Sequence, residues 1–209
     1  SNLFKAVSEA GGDMAKVDAS AFPVLNMLNT RYFIFPLQGG KTMPIQNPYT
    51  LGNAWFVDKV QYVNNANEEI ESLHKVMPAK VAVVDKKFAE QVKPVAVSDS
   101  LRFVKLVAYE PNDLKYEVSS EKGGVVVFSE IYYPGWQAYI DGVEAPHGRA
   151  DYILRAMNVP AGKHTVEFKF DPKSLHTTET IAFVALGLLA MAVLLLLVLQ
   201  GKALWGKKG

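Results

Sequence analysis

The chain of 209 residues contains no cysteine, which excludes disulfides and thiolate zinc sites. It also lacks an excess of either charge, because 22 lysines and arginines stand against 21 aspartates and glutamates. Binding to a nucleic acid backbone needs a basic surplus, so we predict no nucleic acid partner. The sequence has no GxxxxGK[ST], GxGxxG or GxSxG motif, and nucleotide binding and serine hydrolase chemistry are therefore unsupported.

Few residues suggest catalysis or metal binding. The four histidines have no metal-ligand spacing, and we predict solvated structural roles for His74, His147, His164 and His176. Four carboxylates lie close together in sequence, namely Glu130, Asp141, Glu144 and Asp151. Glycosyl chemistry needs two acids at a defined separation, which closeness across turns does not establish. We predict no catalytic residue, no metal and no cofactor in this chain.

The stretch from Val125 to Asp171 organises the fold, because apolar and polar residues alternate along it. Trp136, Ala138 and Ile140 face one way, which is the period of a β-strand. Turn sequences follow at residues 141–142 and 160–162. Upstream, residues 101–109 and 114–118 have the same character. We predict an antiparallel, jelly-roll-like β-sandwich over residues 99–176.

Residues 17–98 predict a smaller α+β layer, after a leader segment at residues 1–16 with a possible helix. The predicted elements are a short helix over residues 24–28, a strand over 31–35, an irregular loop over 36–52, a strand over 55–63, a helix capped by Asn67, a strand over 81–84 and a helix over 86–92. The fold class is therefore α+β: this layer, then the sandwich, then one C-terminal transmembrane helix.

The transmembrane prediction rests on the uninterrupted apolar run from Ile181 to Leu199. A helix of this length matches a hydrocarbon core of about 30 Å, whereas a buried core helix, the alternative, would be shorter or have a polar face. We assign residues 177–200 to the span and 201–209 to a basic cytoplasmic tail, since Lys202, Lys207 and Lys208 follow it. The preceding domain is then expected outside, exported by membrane segments that lie earlier in a longer protein.

An aromatic group in the predicted sandwich is a candidate glycan-binding site. Flat rings stack on sugar faces, and neighbouring charged groups bond the hydroxyls. The candidate residues are Tyr132, Tyr133, Trp136, Tyr139, Asp141, Arg149 and Asp151. In the alternative interpretation, Trp136 and one tyrosine belong to the core, and the other rings are strand surface.

The motifs FSEIYYPGWQAYIDG and YILRAMNVPAGKHTVEFKFDP, with LNMLNTRYFI and NPYTLGNAWFV upstream, resemble the C-terminal domain of the YfhO family of bacterial membrane proteins. The motif residues include Asn29, Arg31, Asn53 and Trp55. All four can have purely architectural roles, and Asn29 and Arg31 can instead contact a ligand.

This resemblance implies a function like that of GT-C glycosyltransferases, which have many transmembrane helices followed by an extracytoplasmic domain. Such proteins transfer sugars from polyprenyl-phosphate donors to cell-envelope polymers. Their catalytic acids lie in early external loops, so no catalytic residue carries over to this chain. The expected location is the bacterial inner membrane with the folded domain on the periplasmic or extracellular side. The expected partners are membrane lipid, envelope glycan and, through the whole protein, a polyprenyl-phosphate sugar.

Two functions remain open at this point. The domain assists acceptor binding or braces a transferase, or it is a non-enzymatic envelope module that binds polysaccharide or protein.

Overall fold

Two antiparallel β-sheets form the centre of the fold, as the alternating residues predict. The computed structural model describes residues 2–95 and 101–205. The chain forms two units, residues 1–170 and residues 171–209. The first unit contains all the described strands, and the second contains the long apolar helix.

The element bounds follow the chain order. The helices are α1 (Asn2–Glu9), α2 (Pro23–Met27), α3 (Ala66–Ser72) and α4 (Lys173–Trp205). The strands are β1 (Tyr32–Pro36), β2 (Thr42–Gln46), β3 (Ala54–Val57), β4 (Lys59–Val63), β5 (Val81–Asp85), β6 (Phe103–Glu110), β7 (Asp113–Ser120), β8 (Gly124–Ile131), β9 (Trp136–Ile140), β10 (Val143–Ala145), β11 (Gly148–Ala150), β12 (Leu154–Val159) and β13 (Gly162–Phe170). Single 3-10 turns occur at Met14–Lys16, Ala19–Ala21, Gln38–Gly40 and Lys86–Phe88.

The predicted sandwich is confirmed. A five-stranded sheet in the order β10-β9-β13-β7-β6 faces a four-stranded sheet in the order β11-β12-β8-β3. Tyr116, Phe168 and Ala138 of the first sheet pack against Phe128 and Met157 of the second, and all five are buried. Burial of these side chains stabilises the pairing of the sheets by the hydrophobic effect.

One strand of the sandwich comes from the part of the chain that we assigned to the α+β layer. β3 pairs with β8 through Ala54↔Phe128 to Val57↔Val125. The predicted boundary between residues 98 and 99 lies outside the described residues, and the predicted domain limits stay predictions.

The other face of the four-stranded sheet is covered by a small α+β layer. β4 and β5 form a two-stranded parallel sheet, and α3 lies against β5. Leu73, Val83 and Val84 are buried with Val125 and Val127 of β8. The single predicted strand over residues 55–63 is wrong, because the chain changes partner at Asp58 and forms β3 and β4 with different neighbours.

The N-terminal part has a core of its own, in which Val7, Phe22 and Phe33 are buried. Its β1–β2 hairpin corrects the predicted irregular loop over residues 36–52, since Thr42–Gln46 pairs with β1. β2 tolerates Pro44 because it pairs on one side only, which is where proline is found in sheets.

Two further predictions near α3 and β5 are wrong in detail. The cap of α3 is Asn65, not Asn67, since the Asn65 side chain accepts a hydrogen bond from the Glu68 N–H. The helix predicted over residues 86–92 is a 3-10 turn at Lys86–Phe88. The Asp85 side chain caps that turn by accepting a hydrogen bond from the Lys87 N–H. Asp85 is therefore both the last residue of β5 and the cap of the turn.

The second unit consists of α4, which confirms a long apolar helix at the predicted position. The stretch Ser174–Leu199 contains an 18-residue window with a mean hydropathy of 3.1. At a rise of 1.5 Å per residue this stretch is about 39 Å long, enough to cross a hydrocarbon core. Its apolar residues occupy all sides, which is typical of a membrane span. Lys207 and Lys208 of the predicted tail lie outside the described residues.

Candidate functional site

The space between the two sheets becomes polar at one end, where β8 ends and β9 and β12 begin. Four side chains meet there: Tyr116, Glu130, Trp136 and Arg155. We call this group the sandwich-end site. A β-bulge between Leu154 and Arg155 shifts the pairing of β12 with β8, and bulges of this kind re-aim side chains at sheet ends.

Arg155 is the centre of the sandwich-end site and is 2% exposed. Its guanidinium carbon lies 3.9 Å from the centroid of the Trp136 ring and 5.0 Å from that of Phe168. Its Nε donates a hydrogen bond to the Ile131 carbonyl at 3.1 Å, whereas Nη1 is buried without a partner in the described part of the chain. Burial lowers the pKa of Arg155, while Glu130 acts in the opposite direction.

Glu130 and Tyr116 supply the acidic side of the sandwich-end site. Burial raises the pKa of Glu130, and the charge of Arg155 opposes that rise. The Tyr116 ring packs edge-on to Phe128 at 4.9 Å, and its hydroxyl is buried without a partner within the described residues. A buried polar group left unpaired costs about 1–3 kcal/mol. Two of them in one cluster indicate a place for a water molecule or a ligand.

Aromatic rings border this polar end. Trp136 is half-buried, and its ring lies 5.3 Å from that of Phe170. Phe170 is 6.3 Å from Tyr133, whose side chain is 61% exposed. The border therefore places partly exposed aromatic rings next to buried charged groups.

A second charged cluster lies on the other side of the four-stranded sheet and connects α3, β5 and the β11–β12 turn. We call Glu69, Asp85, Arg149 and Asp151 the buried ion network. Arg149 Nη2 donates to Glu69 Oε2 at 2.6 Å and lies 3.9 Å from Asp85 Oδ2. Glu69 Oε1 accepts a hydrogen bond from the Tyr152 N–H at 2.9 Å. Burial raises the pKa of Glu69, and these contacts offset part of the rise.

Asp151 is fully buried in this network. Its Oδ1 accepts a hydrogen bond from the Val83 N–H at 2.8 Å, and Oδ2 has no partner in the described part. Burial raises its pKa to about 8, with a further contribution from Glu69. Asp151 and Tyr152 have φ values of 50° and 73°, a left-handed pair that is costly for residues other than glycine.

Residues 89–182 match the family model described as bacterial membrane protein YfhO. This part of the chain is therefore similar to the YfhO family. The match includes β6 to β13 and therefore the whole of the sandwich-end site. No curated protein and no solved structure matches the chain.

The structure places the seven candidate glycan-binding residues in three separate regions. Trp136 and Tyr133 lie at the sandwich end, and Tyr132 packs near them between Phe88 and His147. Arg149 and Asp151 belong to the buried ion network.

The other two candidates lie away from the sandwich end. Tyr139 is on the outer side of β9, and Asp141 directly follows the last residue of β9. The Tyr139 hydroxyl donates to Gln137. Asp141 Oδ2 lies 2.6 Å from His164 Nδ1, and its Oδ1 accepts a hydrogen bond from the Thr165 N–H. Glycan binding stays a prediction for all seven.

The four motif residues upstream lie outside the YfhO match. The Trp55 indole N–H donates to the Pro78 carbonyl at 2.8 Å in the core, and the Asn53 carbonyl accepts from the Ser129 N–H. Asn29 has a positive φ of 53° and a buried, unpartnered Oδ1 among the described residues, while Arg31 is exposed. The contacts of Trp55 and Asn53 are architectural.

Sequence reasoning had Arg155 only as a motif residue and not as a candidate for binding, and it missed two acids of the network, Glu69 and Asp85. Arg155 lies in β12 between the buried residues Leu154 and Ala156, and a lone cation in an apolar strand is a usable signal. Glu69 had no such signal, because its helix has acidic neighbours. His147, predicted as solvated, lies 5.5 Å from Phe168, and burial lowers its pKa to about 4.

Proposed function

We propose that the sandwich-end site binds a glycan and so holds the acceptor for a membrane glycosyltransferase. The observation that carries this proposal is the half-buried Trp136 stacked at 3.9 Å on a buried arginine that retains an unpartnered Nη1. An aromatic face suits the C–H groups of a sugar, and the guanidinium, Glu130 and the Tyr116 hydroxyl suit its hydroxyls.

The charge of the site favours an uncharged sugar. Arg155 carries one positive charge, and Glu130 interacts with it electrostatically from the same end. The two charges offset each other, so a ligand that brings its own charge would upset a buried balance. We therefore propose a neutral glycan.

The proposed role in the cell follows from the family and the apolar helix. The match to the YfhO family model and α4 support a membrane protein. We propose that the domain lies on the periplasmic or extracellular side of the bacterial inner membrane. It would be the C-terminal part of a polytopic, GT-C-like protein that transfers sugars from a polyprenyl-phosphate donor to cell-envelope polymers. Catalytic acids would lie in other parts of that protein.

Calorimetric titration of the full chain in lipid nanodiscs with neutral envelope oligosaccharides tests the binding. Glu130→Gln keeps the shape of the side chain and removes its charge, so it should weaken binding about ten-fold or more, the value of a charged hydrogen bond. Glu117→Gln on the exposed side of β7 is the matched control and should bind as the parent does. Unchanged binding by Glu130→Gln would refute the site.

A non-enzymatic envelope module is the second candidate. It is favoured by the buried ion network, in which Glu69 is already engaged with Arg149 and Tyr152 and is not available for chemistry. Sugar transfer by the whole membrane protein, measured with a polyprenyl-phosphate sugar donor, separates the two. Glycan binding together with transfer supports the transferase role, and binding without transfer supports the module.

A further inference from the structure

The β1–β2 hairpin has one buried face and one exposed apolar face. Phe33 and Ile45, which are opposite each other, point into the N-terminal core. The neighbouring pairs point away from it, because side chains alternate along strands. Tyr32 and Ile34 are 59% and 69% exposed. We call the outward residues Tyr32, Ile34, Pro36 and Pro44 the outer hairpin face.

The tip of the hairpin continues this apolar surface. Leu37, which directly follows β1, is 46% exposed. Single exposed apolar residues are ordinary in soluble proteins, but a group of this size marks an interaction surface. Tyrosine and branched apolar residues are also the types that enter the headgroup region of a bilayer.

The charge of the hairpin favours a membrane over a protein as the partner of this face. The chain has no aspartate or glutamate between Asp18 and Asp58, a stretch that includes the whole hairpin. Arg31 and Lys41 are exposed at the base and the tip of β1–β2. An apolar face with cations and without acids complements an anionic lipid surface. The same chain carries α4, so a bilayer is available to the hairpin.

We propose that the outer hairpin face inserts into the headgroup region of a membrane that contains anionic lipid. Tyr32, Ile34 and Leu37 would enter the boundary between headgroups and acyl chains, while Arg31 and Lys41 contact lipid phosphates. This contact is independent of glycan binding, since it uses no residue of the sandwich-end site.

The absence of cysteine makes a site-specific test possible. Ile34→Cys labelled with bimane is compared with Val143→Cys, which carries the same label on another hairpin where the parent residue is 71% exposed. Both full-length variants are reconstituted in vesicles of phosphatidylcholine and phosphatidylglycerol, with and without brominated lipid as a quencher. The label at residue 34 should lose fluorescence on brominated lipid, and the label at residue 143 should keep it.

Charge reversal tests the lipid phosphate contact. Arg31→Glu and Lys41→Glu should each lower the ratio of inserted to free hairpin by roughly five-fold or more, as expected for one basic residue near an anionic surface. Lys163→Glu on β13 is the matched control, because Lys163 is also exposed on a strand. In vesicles of pure phosphatidylcholine, which lack anionic lipid, the labels at residues 34 and 143 should be quenched equally. That result supports the proposal. In the vesicles that contain phosphatidylglycerol, equal quenching of both labels, or none at residue 34, overturns it and leaves a protein as the partner of this face.

Discussion

Arg155 and Arg149 lie on adjacent strands of one sheet but in different kinds of surroundings. Arg149 forms a 2.6 Å ion pair with a fully buried glutamate, and a second carboxylate, that of Asp85, lies 3.9 Å from it. Arg155 is bound by a backbone carbonyl and two aromatic rings, and its Nη1 has no partner in the described part. Each guanidinium has one buried nitrogen without a partner among the described residues, Nε of Arg149 and Nη1 of Arg155, but only Arg149 connects two layers of the fold through ion pairs.

The comparison shows that residue types alone do not distinguish a binding site from an ion network that holds two layers of the fold together. Both clusters contain an arginine, an acid and aromatic rings. The difference lies in how the charge is matched within the protein. Arg149 forms direct ion pairs, whereas Arg155 interacts with Glu130 electrostatically and has no direct ion pair among the described residues. The predictions below test this difference from the largest expected effect to the smallest.

Removing the acid of the buried ion network should have the largest effect. Glu69→Ala removes the acceptor of the Tyr152 N–H and leaves Arg149 only the longer contact with Asp85, so we expect a loss of about 3–5 kcal/mol in the free energy of unfolding. Denaturant unfolding of the full chain in detergent, followed by near-ultraviolet circular dichroism, measures it. Glu69→Gln retains hydrogen bonding and should lose less. A loss below about 1 kcal/mol would show that the network is not a structural connection.

Truncating Trp136 should affect both stability and binding. The ring contacts Arg155 and Phe170 but is only half-buried, so Trp136→Ala should cost about 2–3 kcal/mol, less than truncation of a fully buried ring. It should also abolish glycan binding at concentrations where Tyr139→Phe binds normally, because Tyr139 lies on the outer side of β9. The pair is compared by calorimetry at a temperature where both variants are folded. If the folded Trp136→Ala variant binds glycan as the parent does, the role of Trp136 is purely structural.

Asp151 should make stability depend on pH. Its pKa is about 8 in the fold and about 3.9 in an unfolded chain, so the folded state holds the extra proton between these values. The contribution of Asp151 to the free energy of unfolding therefore falls as pH rises through this window, by up to about 1.4 kcal/mol per pH unit. Asp151→Asn keeps an oxygen to accept from Val83 and should flatten that slope. Parallel pH curves for the two proteins would mean that Asp151 is not protonated in the fold.

The exposed pair of His164 and Asp141 should have the smallest effect. His164 has acceptors at both ring nitrogens, Asp141 Oδ2 and the Ala161 carbonyl, and the hydrogen bond to Asp141 raises its pKa. The stabilisation is complete below about pH 6.5, the unfolded pKa, and is lost as pH rises through the folded pKa. Asp141→Asn tolerates the left-handed φ of 51° and should lower the pKa of His164 in an NMR titration. An unchanged pKa would show that the pair does not form.

The sequence predicts those features of the structure that depend on neighbouring residues, and it does not predict those that depend on which distant segments become partners. The alternation of Trp136, Ala138 and Ile140 depends on strand geometry alone, and the structure confirms it. The division of residues 55–63 at Asp58 depends on which strands become partners, and alternation does not contain that information. Asp151 was placed beside the aromatic rings because it is close in sequence, whereas two left-handed residues turn it toward β5.

NMR of the arginine side chains is the most direct test of the central claim, that the sandwich end binds glycan while the buried ion network connects the layers. The Nε–H signals of Arg155 and Arg149 are followed in the full chain in detergent as a neutral envelope oligosaccharide is added. We expect the Arg155 signal to shift with saturation and the Arg149 signal to remain in place. A saturable shift of Arg149 with a stationary Arg155 would contradict the account.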